Sequence, residues 1–142
     1  MKTLKQLLQA KHYGILSVTS DTKVFEALEL MAKNNVGALL VIDAGKLVGI
    51  ISERDYARKV ILKGKSSLDT PVRDIMTDKP TCVAPSRSVE ECMALMTEKR
   101  VRHLPVMEGD KLIGVVSIGD LVKETISAQE FTIKQLESYI HL

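Results

Sequence analysis

Gly49-Ile50-Ile51-Ser52-Glu53-Arg54-Asp55 and Gly114-Val115-Val116-Ser117-Ile118-Gly119-Asp120 are two copies of one pattern, Gly-x-x-Ser-x-x-Asp, at an offset of 65 residues. The same offset aligns residues 18–55 with residues 83–120 without a gap, and 13 of these 38 pairs are identical. The chain therefore contains an internal repeat. Two copies are too few for an open solenoid. We expect them to pack on each other as a pseudo-twofold pair.

Each copy predicts the element order β-α-β-β-α. A short strand precedes a helix whose apolar residues recur at helical spacing, and a hairpin and a second helix follow. Ser88 with Glu91 three residues later predicts a capping box at the second copy's first helix. The fold class is thus α+β: two β-α-β-β-α repeats with pseudo-twofold symmetry and a C-terminal helical tail. We place repeat 1 at residues 8–65, a linker at 66–75, repeat 2 at 76–130 and the tail at 131–142.

Two segments lie outside the gap-free alignment. Residues 4–8 (Leu-Lys-Gln-Leu-Leu) resemble residues 72–76 (Val-Arg-Asp-Ile-Met), so a short lead-in also recurs. Residues 131–140 carry Ile133, Leu136, Tyr139 and Ile140 at helical spacing and have no counterpart in copy one. We expect this tail to contact another subunit.

Composition narrows the class of protein. The chain has 142 residues, 45% hydrophobic and 27% charged, which is typical of a globular protein. A net charge of +2 and only 4% aromatic residues argue against nucleic-acid binding. No apolar run reaches the length of a membrane span, and no signal peptide is recognisable. Two cysteines, Cys82 and Cys92, fit reduced core thiols. We therefore expect a cytoplasmic protein with no membrane contact.

Catalytic and metal-binding patterns are missing from the sequence. It contains no G-x-S-x-G, no H-E-x-x-H and no phosphate-binding glycine loop, and the three histidines make no metal-ligand spacing. We predict no catalytic residues, no metal and no enzyme activity. The Gly-x-x-Ser-x-x-Asp pattern has two interpretations. It is a helix-capping box, or it presents a hydroxyl and a carboxylate to a phosphate and a ribose diol.

The combined motifs resemble a tandem CBS-domain pair, or Bateman module. The resemblance rests on the two Gly-x-x-Ser-x-x-Asp copies, residues 72–77 (Val-Arg-Asp-Ile-Met-Thr) and residues 102–106 (Arg-His-Leu-Pro-Val). Residues 51–56 and 135–140 look like those of stand-alone bacterial CBS-pair proteins. This family binds adenosine-containing ligands, among them AMP, ADP, ATP, NAD(H) and S-adenosylmethionine, in clefts between repeats and commonly forms flat dimers.

The resemblance implies two quasi-equivalent nucleotide sites. Asp55 and Asp120 would accept hydrogen bonds from ribose hydroxyls, with Ser52 and Ser117 near the ribose or phosphate. Adenine would contact Val18, Gly37, Ala38 and Ile51 in one site and Val83, Leu104, Pro105 and Val116 in the other. Thr81 would line the second site, where Arg102 and His103 are the cations expected near phosphates. Arg54 either reaches a phosphate across the clefts or is a solvated helix-end residue.

The two sites differ in sequence. Arg54 aligns with Gly119, and Thr81 aligns with Leu16. One filled site or one dinucleotide across both clefts therefore fits at least as well as two identical ligands. We expect a homodimeric sensor of AMP, ATP or NAD(H) that signals in trans to an unknown effector protein. The alternative is a degenerate pair that acts as a ligand-free dimerisation or interaction module.

Overall fold

The computed structural model describes residues 2–10 and 15–140 and divides into two compact units. The first-repeat unit is Gly14–Thr81, and the second-repeat unit combines Met1–Tyr13 with Cys82–Leu142. Helix α1 (Leu4–Ala10) therefore belongs to the second-repeat unit, although it precedes the first repeat in sequence. Each unit contains one copy of the repeat, so the predicted α+β class with a C-terminal helix is confirmed.

A four-stranded sheet organises the first-repeat unit, in the order β1 (Ser17–Val18), β2 (Ala38–Asp43), β3 (Lys46–Ser52) and β4 (Thr77–Asp78). Strand β1 is parallel to β2, and the other two pairs are antiparallel. The predicted hairpin turn is present: Ala44 and Gly45 both have positive φ, as a tight two-residue turn requires. The other elements of this unit are α2 (Val24–Asn34), α3 (Glu53–Tyr56), a π-helical turn (Ala57–Ile61) and a 3-10 turn (Val72–Asp74).

The core of the first-repeat unit lies between α2 and the sheet. One face of α2 is buried through Val24, Ala27 and Met31, as the helical spacing predicts. Sheet and turn residues complete this cluster, namely Leu39, Val41, Ile51, Val60, Val72 and Ile75. Val72 and Ile75 are thus core residues of the first-repeat unit.

A two-stranded hairpin and two helices form most of the second-repeat unit. Val83 forms an isolated parallel bridge with Val106, at the place of β1 in the other unit. The predicted capping box is confirmed, because Ser88 Oγ accepts from Glu91 N at 3.1 Å and Glu91 Oε1 accepts from Ser88 N at 3.3 Å. The elements are α4 (Val89–Lys99), β5 (His103–Glu108), β6 (Lys111–Ser117) and α5 (Ile118–Ile140).

Each unit holds one lead-in segment, and the two segments make equivalent backbone hydrogen bonds. In the second-repeat unit, Leu4 N donates to Arg87 O at 2.9 Å. In the first-repeat unit, Val72 N donates to Thr22 O, the equivalent acceptor, at 2.8 Å. Leu4 and Val72 are both fully buried. The two units are therefore alike in their lead-in contacts as well as in their repeats.

The C-terminal tail is part of a longer helix. Helix α5 runs for 23 residues, so residues 131–140 continue the helix that starts directly after β6. Leu121 anchors it in the core of the second-repeat unit. No helix among the described residues has the length and apolarity needed to cross a membrane.

The two cysteines differ in burial. Cys92 is only 1% exposed and lies in the core, as expected, and this burial raises the pKa of its thiol. The same expectation for Cys82 is wrong, since Cys82 is exposed. Neighbouring residues of an extended segment point to opposite sides, and Val83 takes the inward position.

Candidate functional site

The first Gly-x-x-Ser-x-x-Asp copy forms the junction between β3 and α3. Ser52 N donates to Asp55 Oδ2 at 2.9 Å, and Ser52 Oγ accepts from Asp55 N at 3.2 Å. Ser52 Oγ also lies 3.1 Å from Asp55 Oδ2. These bonds form a capping box and hold the carboxylate at the end of the strand. Ser52 and Asp55 are both half-buried.

The second copy repeats this geometry between β6 and α5. Ser117 N donates to Asp120 Oδ2 at 2.9 Å, and Ser117 Oγ accepts from Asp120 N at 3.1 Å. Ser117 and Asp120 are again half-buried. The capping interpretation is therefore realised in both copies. It places a hydroxyl and a carboxylate side by side at each strand end.

Each junction is hydrogen-bonded to the residue just before the first strand of its hairpin, β2 in one unit and β5 in the other. Glu53 N donates to Gly37 O at 3.0 Å, and Ile118 N donates to Arg102 O at 2.8 Å, an equivalent bond in the other unit. In register, Ala38 is opposite Ser52, and His103 is opposite Ser117. The structure thus brings each predicted Ser–Asp pair beside the predicted residues at the strand start.

The predicted adenine contacts differ in accessibility. Gly37, Ala38 and Val18 are half-buried and present some surface. Four others are buried in the cores of their own units and support the junctions from behind: Ile51, Val83, Leu104 and Val116. Pro105 is also buried, and its carbonyl accepts from Val83 N at 3.0 Å. Thr81 is half-buried at the end of the first-repeat unit.

The basic residues predicted to bind phosphate differ in exposure and differ between the two junctions. Arg54 and Arg102 are exposed, and His103 is half-buried. A Cβ at Gly119 would find its nearest neighbour, Ser117 Oγ, at an ordinary 3.6 Å. The second junction therefore lacks a side chain where the first carries Arg54, although a small one would fit there without a clash.

Lys59 is not among the predicted nucleotide-binding residues, although it lies at the first junction. Its Nζ lies 3.5 Å from Asp55 Oδ1 and donates to Ile75 O at 2.9 Å. Asp55 and Lys59 are four residues apart, a spacing that joins side chains on a helix and could have revealed the pair. Lys59 places a positive charge against the carboxylate of the first junction.

A pocket was also missed. It measures about 660 Å³ and lies within the first-repeat unit between α2 and α3. Gly37 contributes to its wall, and the Glu53 carboxylate lies over Gly37, 3.4 Å from where a Cβ would be. Glu53 is the charged member of the lining, so the pocket suits an uncharged group better than a phosphate. The lining comprises Leu28, Met31, Ala32, Asn35, Val36, Gly37, Glu53, Tyr56 and Ala57.

Comparison with known proteins identifies the family of this chain. A model of the CBS-domain family matches residues 10–62 and 72–127. The CBS domain-containing protein CBSX3, mitochondrial, of Arabidopsis thaliana is 44% identical over 127 residues, which cover 86% of this chain. The match spans 62% of that relative's own length.

Solved structures are similar across both units. A CBS-domain protein from Burkholderia ambifaria MC40-6 superposes with a TM-score of 0.87 at 53% identity, covering 90% of this chain and 96% of that one. The CBS domain protein PAE2072 from Pyrobaculum aerophilum, complexed with AMP, has a TM-score of 0.74 at 25% identity. That comparison covers 84% of this chain and 89% of the other.

Proposed function

The chain belongs to the CBS-domain family, and from that membership we propose that it is a regulatory protein that binds an adenosine-containing nucleotide without altering it. The observation that carries the proposal is the Ser–Asp junction repeated in both units. The AMP complex of the similar Pyrobaculum aerophilum protein supports AMP as the first ligand to test, with ATP and NAD(H) next.

The junction chemistry suits the ribose and its phosphate. An ionised carboxylate accepts hydrogen bonds from two vicinal hydroxyls, and a hydrogen bond to a charged group is stronger than a neutral one. Asp55 and Asp120 fill this role in the proposal, with Ser52 and Ser117 beside them. Arg54, Arg102 and His103 would neutralise the phosphates.

Adenine would be held by backbone and apolar groups. Gly37, Ala38 and Val18 present surface next to the first junction. At Ile51, Leu104 and Val116 the side chains are fully buried, so these positions would shape the site from within the core. Val83, Pro105 and Thr81 complete the proposed set for the second site.

The two sites are proposed to be unequal. Arg54 supplies a cation at the first junction, and Gly119 leaves the equivalent position of the second open. Lys59 adds an ion pair with Asp55. One nucleotide per chain accounts for this asymmetry at least as well as two identical ligands do.

A nucleotide panel tests the function. AMP, ATP and NADH are each added to the full chain, with GMP as a control for the base, and thermal unfolding is followed. A ligand at 100 times its dissociation constant adds about 2.7 kcal/mol of stability. Stabilisation by an adenosine nucleotide and not by GMP supports the proposal. Absence of any shift with all three adenosine nucleotides would overturn it.

A second candidate function is a ligand-free interaction module. The exposed apolar side chains of α5, such as Ile133 and Leu136, favour it, because they offer a surface to another protein. In either case we propose a cytoplasmic homodimer, and the sensor would act in trans on an effector protein. Under the sensor proposal, ligand binding must favour one of two conformations for that effector to respond.

A further inference from the structure

The second half of α5 is helical but carries no buried side chain. The helix is tied to its unit by buried Leu121 and by the Thr125 hydroxyl, which lies 3.4 Å from Met93 Sδ. From Ile126 to Ile140 every side chain is exposed. Short isolated helices are marginal in water, so a helix of this kind gains stability from a partner that covers an apolar face.

Five exposed apolar residues of α5 lie in one stripe, while exposed Phe131 and Tyr139 lie outside it. Spacings of four and three alternate through Val122, Ile126, Gln129, Ile133, Leu136 and Ile140, which we call the α5 seam. At 3.6 residues per turn the six positions lie within roughly 80° of the helix surface. Phe131 lies about 180° from the seam. Alternating four- and three-residue spacing is the heptad pattern of a coiled coil.

We propose that the α5 seam pairs with the α5 seam of a second copy of this chain, as a parallel two-stranded coiled coil. The inference rests on the proposed homodimer and does not depend on nucleotide binding. Ile126, Ile133 and Ile140 occupy one heptad position, and Val122, Gln129 and Leu136 the other. In parallel coiled coils, Ile at the first position with Leu at the second, as at Ile133 and Leu136, favours two strands.

The polar residue of the seam fixes the register. In a parallel, in-register pair, Gln129 faces the Gln129 of the second copy, and the two amides can donate to and accept from each other. In the antiparallel pair, Gln129 would face Ile133 and leave its amide against an apolar side chain. In other coiled coils, a single polar residue in the seam specifies the register at a cost in stability.

The flanking charges agree with the parallel arrangement. Glu130 and Glu137 border the seam on one side, and Thr125 and Thr132 border it on the other. Parallel helices place each glutamate beside a threonine of the second copy, without like charges in contact. The antiparallel arrangement would place Glu130 beside the Glu130 of the second copy.

The α5 seam is short, but the helix that carries it is nucleated within the second-repeat unit. The first turn of α5 is capped by Ser117 and Asp120, and Leu121 is buried in the core. The costly step in helix formation is the first turn, and further residues add at little cost. Pairing therefore needs to stabilise only the continuation of a helix that the second-repeat unit has nucleated.

Disulfide trapping tests the seam. In the full chain with Cys82→Ser, which leaves only buried Cys92, a thiol is introduced by Gln129→Cys in the seam or by Phe131→Cys on the opposite face. A glutathione redox buffer and non-reducing electrophoresis report intermolecular disulfide. We expect about tenfold or more crosslinking for Gln129→Cys over Phe131→Cys, because pairing raises the effective thiol concentration.

Sedimentation of the unmodified chain separates the possible failures. A dimer in which Gln129→Cys crosslinks no better than Phe131→Cys would overturn the seam and leave the homodimer standing. A monomer at all concentrations would overturn both. Crosslinking of Gln129→Cys with Ile133→Cys chains, but not of Gln129→Cys with itself, would overturn the parallel arrangement. Urea midpoints equal to that of the Cys82→Ser parent show that the variants are folded.

Discussion

Leu8 of α1 lies so close to Gly114 of β6 that a Cβ added to Gly114 would stand 2.8 Å from Leu8 Cδ2. The equivalent glycine, Gly49, faces Met76 Sδ at 2.7 Å and the Thr77 carbonyl oxygen at 2.8 Å. In both units the packing of the lead-in therefore requires the glycine of Gly-x-x-Ser-x-x-Asp.

We predict that Gly49→Ala destabilises the protein more than Gly114→Ala. The end of the Leu8 side chain can rotate away, but the Thr77 carbonyl belongs to β4 and is paired with β3. Overpacking a core costs about 1–3 kcal/mol, and we place Gly114→Ala at the low end and Gly49→Ala at the high end. Urea unfolding measures both. Equal losses would show that β4 moves as easily as Leu8.

The pairing of lead-ins with repeats could not be predicted from sequence order. Residues 4–8 precede the first repeat but pack on the second, and residues 72–76 precede the second repeat but pack on the first. Similarity between the two segments was visible because both carry the same apolar spacing. Which repeat each segment packs against depends on the path of the chain in three dimensions, and a periodic pattern does not encode that path.

The junctions were more predictable than their surroundings. Ser52 with Asp55 and Ser117 with Asp120 interact locally, three residues apart, so spacing alone specified the contact. The pocket beside Gly37 combines two helices that are separated by two strands, and no local motif marks it. The prediction that Cys82 is buried was wrong because buried and exposed residues alternate along this short extended segment, and the sequence does not show which of two neighbours points inward.

Acid should weaken the cap of α4. Hydrogen bonds from the Ser88 backbone and side chain, together with Arg87, hold the pKa of Glu91 below its ordinary value of 4.5. The unfolded state then binds the proton more readily, so this contribution to stability is present above about pH 4.5 and is lost as the pH falls through the lowered pKa.

The variant Glu91→Gln should therefore lose less stability between pH 7 and pH 3.5 than the unaltered protein does. Urea midpoints at the two pH values measure the difference. Glu90→Gln is the matched control, since it removes a carboxylate from the same helical turn and leaves the capping box intact. An acid loss in Glu91→Gln as large as that of Glu90→Gln would contradict the assignment.

Thiol reactivity should separate the cysteines. Cys82 is exposed and should react with a disulfide reagent in the folded protein through its thiolate, so its rate should rise with pH. Desolvation raises the pKa of this thiol, which shifts that rise to higher pH. Cys92 is in the core and should react only through unfolding, at least about 1,000-fold more slowly. Cys82→Ser should abolish the fast phase. A fast phase that survives this substitution would place Cys92 at the surface.

The Asp120 carboxylate should matter for nucleotide affinity beyond its role as a cap. A hydrogen bond to a charged group contributes about 1.5–3 kcal/mol. Asp120→Ala should therefore weaken AMP binding, measured by calorimetry, about 10- to 150-fold. Glu91→Ala is the matched control, because it removes the acidic member of the other capping box in the same unit, at α4. Equal affinity in Asp120→Ala and Glu91→Ala would show that Asp120 acts only as a helix cap. The variant Asp55→Ala removes the equivalent carboxylate of the first junction. If Asp120→Ala weakens AMP binding and Asp55→Ala does not, the second junction binds the ribose.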